Sequence, residues 1–273
     1  MPFLARAVRL QTLVLWCIAS AFGAPPTVQE IVSQSIEKSE SNWRVAPQYT
    51  FTERDSVIEN GKMTRLTFKV LMIDGSPYNQ LIAEDGEPLP EARAAAEEKK
   101  LEQEVSRRSH ETPSARRQRI AAYERDRQQE HAMMHDMWTA FDFKFIGEEL
   151  VNGHNCYVLE ATPRSGYRPT SYETKVLTGM RGKMWIDSRE YQWVKVQAQV
   201  FRPVAFGFFL AHVQPGTELI LEQEPVDNEV WLPLRLVTEV RATALMFWSK
   251  KYSRSEIYSN YRRISPGERA SQP

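Results

Sequence analysis

The chain has 273 residues, 35 basic against 35 acidic side chains, 42% hydrophobic and 11% aromatic residues, and a mean hydropathy of −0.49. That is enough apolar material for one large domain or two small ones. Equal charge leaves no positive field to hold a phosphate backbone, which excludes a dedicated nucleic-acid binder, and the hydropathy excludes a polytopic membrane protein.

Residues 1–24 have the charged, apolar, small-residue order of a secretory signal peptide: Arg6 and Arg9 without an acid, the run Leu13 to Ile18, then Ala19, Ser20, Ala21, Gly23 and Ala24. An apolar stretch of about 10 residues falls short of the roughly 20 that span a membrane, and Pro25-Pro26 stops a helix. Two alternatives stand beside this: an uncleaved anchor, and a lipoprotein signal acylated at Cys17, where bulky Trp16 is a poor neighbour. Cleavage after Ala21, Gly23 or Ala24 leaves a nearly neutral mature protein. Cys156 then remains alone in a strand-like run, as a core residue rather than an activated thiol.

The pattern predicts a first helix over 27–40, capped by Thr27, with Ile31, Val32, Ser35 and Ile36 near one face. A meander follows. Residues 49–53 alternate, Asn60-Gly61 makes a two-residue hairpin turn, and Leu66, Phe68, Val70 and Met72 share one side of the next strand. Asp74-Gly75 and Asp85-Gly86 mark further turns, too short for parallel crossovers.

From 91 to 130 the composition changes to 10 Lys or Arg, 9 Asp or Glu and no glycine. Opposite charges recur three and four apart, so a helical insertion over 90–138 is predicted, broken or bent at Pro113. A solvated arm with little burial is the plain expectation, and a partner-docking arm or lid the alternative.

The remainder is β-rich, with Phe141, Phe143 and Phe145 alternating, a turn at Asn152-Gly153, a hairpin around residues 188–190, and strands near 219–222, 231–240 and 255–263. Residues 166–182 form a connection long enough for a flap. The apolar run 201–213 fits a short capping helix, with Phe206, Phe209, Leu210 and Val213 on one face, or continued strand pairing. The expected fold class is α+β: about nine to eleven antiparallel strands in a strongly curved, open half-barrel with helices in its concavity.

Chemistry-bearing motifs are few. His131 and His135 share a helix face, but Ala132 stands where a zinc hydrolase needs its glutamate, and no third ligand can be named. No phosphate loop, dinucleotide fingerprint or nucleophile elbow occurs. The expectation is therefore a non-enzyme without metal or cofactor.

An opening helix, Tyr49-Thr50-Phe51-Thr52-Glu53 leading into a meander, and Gly182-Lys183-Met184-Trp185-Ile186-Asp187 followed by Trp193-Val194-Lys195-Val196 resemble the LolA/LolB-type carriers of bacterial envelope lipoproteins. Residues 215–217 and 230–233 resemble the next strands of that family, while the charged arm departs from its small members. The resemblance implies a secreted, periplasmic binding protein with a hydrophobic groove for a lipid or lipoprotein acyl chain, with peripheral membrane contact. Its groove candidates, chosen on alternation and the apolar run, are Leu66, Phe68, Val70, Val196, Phe206, Phe209, Leu210 and Leu236. The alternative is a sensor or scaffold similar to RseB-type relatives, with residues 90–138 binding an envelope protein.

Overall fold

The computed structural model describes residues 25–59, 61–206, 211–227, 230–244 and 248–264. Helix α1 (Val28–Val45) starts where the sequence placed it, because the Thr27 hydroxyl accepts from Glu30 N while the Glu30 carboxylate accepts from Thr27 N at 2.7 Å. It runs one turn past the predicted end. The region predicted as a signal peptide lies outside the described residues, as do groove candidates Phe209 and Leu210.

A meander follows: β1 (Tyr49–Glu59), β2 (Lys62–Ile73), β3 (Ser76–Glu84) and β4 (Glu87–Pro88). Helices α2 (Glu91–Ser109) and α3 (Pro113–Ala140) form the insertion. The β-rich part holds β5 (Phe141–Val151), β6 (His154–Pro163), a 3-10 stretch at Glu173–Gly179, β7 (Met180–Asp187) and β8 (Trp193–Val200). It ends with β9 (Val204–Phe206), β10 (Ala211–Val213), β11 (Glu218–Val226), β12 (Val230–Ala244) and β13 (Trp248–Arg263).

Every pairing is antiparallel, and the main path runs β4-β3-β2-β1-β13-β12-β11-β8-β7-β6-β5, with β10 and β9 branching from β12. β4 and β5 are its two ends, so the sheet is open. Bulges interrupt five of the pairings, each bending its strand and adding to the right-handed twist. The 13 strands among the described residues exceed the expected nine to eleven because β4, β9 and β10 span only two or three residues. Strands that short carry no readable period. Within 201–213, Val204–Phe206 pairs with Ala211–Val213 as strands, and residues 207–210 lie outside the described residues.

One face of the curved sheet carries the main core. Ile31 of α1 packs with Leu159, Met184, Ile186, Trp193 and Val196, and Met134, Met137 and Trp138 from the end of α3 join them. The Trp193 indole N–H donates to the buried Ser35 hydroxyl at 2.7 Å, tying helix to sheet.

The insertion breaks at Pro113 as predicted, since proline opens α3 with Thr112 accepting from Ala115 N. It is not a free solvated arm, however. Leu101 of α2 packs on Leu71 and Ile73, which alternate with Val70 and Met72 and so face the opposite side of β2 from the main core. Arg108, 6% exposed, donates to the carbonyls of Ile73, Ser76 and Pro77. Arg119 of α3 reaches the same turn at Ser76 and Asp74, and Ile120 closes on Gly75. The two helices thus straddle the β2–β3 turn, and α3 then crosses onto the concave face. Charge composition alone conceals this, because the docking residues are themselves arginines. No helix of the described residues is long and apolar enough to cross a membrane.

Candidate functional site

Directly opposed residues of neighbouring strands point to one side of a sheet, so their register lays out the concave face. One row runs Leu159, Met184, Val196, Leu221, Leu236 from β6 to β12. It continues as Glu256 on β13, Asp55 on β1 and Leu66 on β2. Its first part lies beneath α1 and the end of α3. Beyond Leu236 the character changes from apolar to charged and back.

Leu66, Phe68, Val70 and Met72 alternate down the concave side of β2. Leu66 and Phe68 are half-buried, Val70 lies opposite Phe51, and Phe51 makes ring contacts with Tyr258 and Tyr261. Met72 opens into a cavity of about 510 Å³ between α3 and the end of β2. Pro47, Tyr123 and Ile264 supply apolar walls there, with Asp74, Arg116 and Glu124 around them.

Beside this strip sits a charged cluster. The Arg254 guanidinium reaches Asp55 at 3.0 Å and Glu256 at 2.8 Å, with Glu53 at 3.9 Å. Tyr258 donates its hydroxyl to Glu256 at 2.6 Å. Three carboxylates thus share one guanidinium in a partly dry site. Burial, then Glu256 and Asp55, push the Glu53 carboxyl up against the pull of Arg254. Glu130 of α3 keeps solvent contact yet is also raised, by desolvation first and then by Asp126 and Glu256, against Arg127. Burial, reinforced by the bond to Glu256, holds the Tyr258 phenol protonated.

The structure brings Leu66, Phe68 and Val70 together on β2 and places Leu236 on the same face, two strands beyond β1. Val196 is packed in the core beneath α1. Phe206 lies apart, on β9, where its ring meets Tyr172 at 5.1 Å. No sequence motif marks Glu53, Asp55, Arg254, Glu256 and Tyr258 as a cluster. Each alternates along its strand, and that period was legible, but the pairing of β1 with β13 joins segments about 200 residues apart.

Other constellations serve structure. His131 bonds Glu40 at 2.7 Å and stacks on Trp43, linking α3 to α1, while His135 is exposed. No metal-holding group of three ligands occurs among the described residues. His154 lies 3.2 Å from Asp187, and Cys156 is two residues away. This has the residue types of a thiol hydrolase without its chemistry: the cysteine is fully buried, and burial together with Asp187 and Glu149 pushes its thiol up to about 12. Asp187 is committed to the N–H groups of Arg189 and Glu190 in the β7–β8 turn. The connection read as a possible flap is tied down, since buried Asp136 accepts from Tyr167 and Thr170.

Fold and site together define an open, curved antiparallel sheet that carries helices and a partly apolar strip in its concavity. No protein-family model matches the sequence, and no curated protein matches it. Among solved structures the chain is similar to a DUF1329 family protein from Desulfovibrio piger, at 12% identity and a TM-score of 0.33, covering 89% of this chain and 96% of that one. It is similar to a domain assigned to outer membrane lipoprotein sorting from Vibrio parahaemolyticus (10% identity, TM-score 0.33, 87% and 94% covered). A LolA superfamily protein from Nitrosomonas europaea shows the same kind of likeness (13%, 0.31, 90% and 98%).

Proposed function

We propose that this chain is a non-enzymatic binding protein of the bacterial envelope, exported to the periplasm by residues 1–24, that holds the acyl chain of a lipid or lipoprotein on its concave face. The carrying observation is the alternation of Leu66, Phe68, Val70 and Met72 down β2 into the cavity of about 510 Å³ beneath α3. Each methylene buried from water contributes about 0.8 kcal/mol, so roughly eight methylenes supply about 6 kcal/mol, enough for reversible capture. The carboxylates of Glu53, Asp55 and Glu256 beside the strip disfavour an anionic headgroup. They suit an acylated polypeptide with donors or cations next to its chain.

A second reading, a sensor or scaffold that binds an envelope protein, is favoured by the same carboxylates, which suit a basic peptide without any lipid. Native mass spectrometry of the protein purified from an envelope fraction separates the two. Co-purified lipid or lipopeptide, lost in Met72→Arg with the melting temperature retained, supports acyl binding. A lipid-free protein carrying a stoichiometric polypeptide supports the second, and an empty chain that binds neither an acylated nor a plain basic peptide sinks both.

A further inference from the structure

We infer that β5 is a self-pairing edge, through which two copies of this chain join their sheets into one. The two ends of the sheet are built differently. β4 is two residues long, contains Pro88, and is followed by Pro90 and α2, whose Arg93 and Glu98 bind Glu84 and Gln80 of β3. A short strand, prolines and a covering helix are the usual protections of an edge. β5 has eleven residues and no proline. Arg164 occupies the carbonyl of Phe141, and from Asp142 onward no described residue outside β6 hydrogen-bonds to its backbone. Of nine exposed large hydrophobics among the described residues, three fall on this strand: Phe145, Ile146 and Leu150, the last 71% exposed. That concentration distinguishes β5 from an ordinary solvated edge.

The occupant follows from register. Ile146 is an extra residue opposite β6, so it reverses the alternation of the strand. Before it, Phe143 and Phe145 face the helices and Lys144 faces away. After it, Glu148 and Leu150 face the helices, because they oppose Tyr157 and Asn155, and Glu149 faces away toward Trp185. Two copies related by a twofold axis normal to the sheet must pair residues of like face, since a one-residue slip would turn every side chain over. Pairing Ile146 with Gly147 of the second copy satisfies this. Phe143 then meets Leu150, Lys144 meets Glu149, Phe145 meets Glu148, and each pair occurs twice. Sliding by two residues the other way sets Asp142 against Glu149, like charge on like. The strand therefore complements itself in one extended register, in charge and in apolar contact, and a second copy is the partner it fits.

Sedimentation velocity on the purified chain from about 1 µM to about 1 mM, the range of weak to moderate association, should show a monomer–dimer equilibrium. Lys144→Glu alone and Glu149→Lys alone each set like charges opposite one another and should weaken the dimer about tenfold or more. Mixing the two variants restores opposite charge at both positions and should restore the dimer. If loss of the Trp185 hydrogen bond unfolds Glu149→Lys, Leu150→Lys replaces it: that side chain is exposed in the monomer, so its melting is unchanged while the dimer dissociates. A chain that stays monomeric throughout overturns the proposal. So does a dimer indifferent to Lys144→Glu and Leu150→Lys, or one whose β5 amides exchange as fast as those of the monomer.

Discussion

Replacing Arg108 by alanine tests whether the helical arm is a docked part of the fold. The side chain is 6% exposed and donates four hydrogen bonds of 2.7 to 3.2 Å to the carbonyls of Ile73, Ser76 and Pro77 and to the Ser76 hydroxyl, while its Nε holds Glu104 at 2.5 Å. Bonds from a charged donor contribute about 1.5–3 kcal/mol each, but those sharing one group do not add. Removing one partner of a buried ionic network costs about 3–5 kcal/mol, and that is the expected loss. It falls on the docking of α2, because Leu101 is the other deeply buried residue of that helix. Hydrogen exchange across α2 should therefore accelerate by two orders of magnitude or more, while α1 and β6 to β8 stay protected. Arg107→Ala is the control: its half-exposed side chain makes a surface pair with Glu104, worth about 0–1 kcal/mol. Equal exchange in the two variants would refute the claim that Arg108 anchors the arm.

Acid should loosen the same joint. Hydrogen bonds from Arg107 and then Arg108 hold the Glu104 carboxyl at about 2, below its ordinary 4.5, so its stabilisation is complete above about pH 4.5 and is lost as pH falls through about 2. Exchange of α2 should rise across that window in the parent and much less in Glu104→Gln, which has no carboxylate to protonate. Trp193→Phe leaves the Ser35 hydroxyl buried without its donor and should cost about 1–3 kcal/mol in urea unfolding; an unchanged unfolding midpoint would mean that the 2.7 Å bond contributes nothing. Asp136→Ala releases Tyr167 and Thr170, so residues 164–172 should become the first site of limited proteolysis, with the parent resistant there. Cys156, its thiol pushed up to about 12, should resist iodoacetamide at pH 8 in the native state and react once unfolded, as read by mass spectrometry.

Local interactions made the legible part of this protein legible. Thr27 and Glu30 cap α1 within four residues, Pro113 opens α3 at its own position, and Asp74-Gly75 and Asp85-Gly86 turn the meander with both residues of each pair at positive φ. These contacts lie within a few residues, so composition and spacing carry them. The side of β2 that Leu66, Phe68, Val70 and Met72 share was likewise readable, because strand period is two.

What tertiary structure alone decided is which strands meet. The pairing of β1 with β13 puts Arg254 against Asp55 and builds a charged cluster into the concavity; the β2–β3 turn captures Arg108 and converts a solvated-looking arm into a saddle. Val196 and Leu236 occupy one concave row, yet α1 covers the first and leaves the second half-buried. By itself, then, the sequence determined an antiparallel α+β chain with an opening helix, a charged helical insertion and apolar alternation along its strands. Which of those apolar positions face open space, and which charges face one another, depended on contacts between distant segments, whose register is set by the packing of the whole sheet and not by any stretch of chain alone.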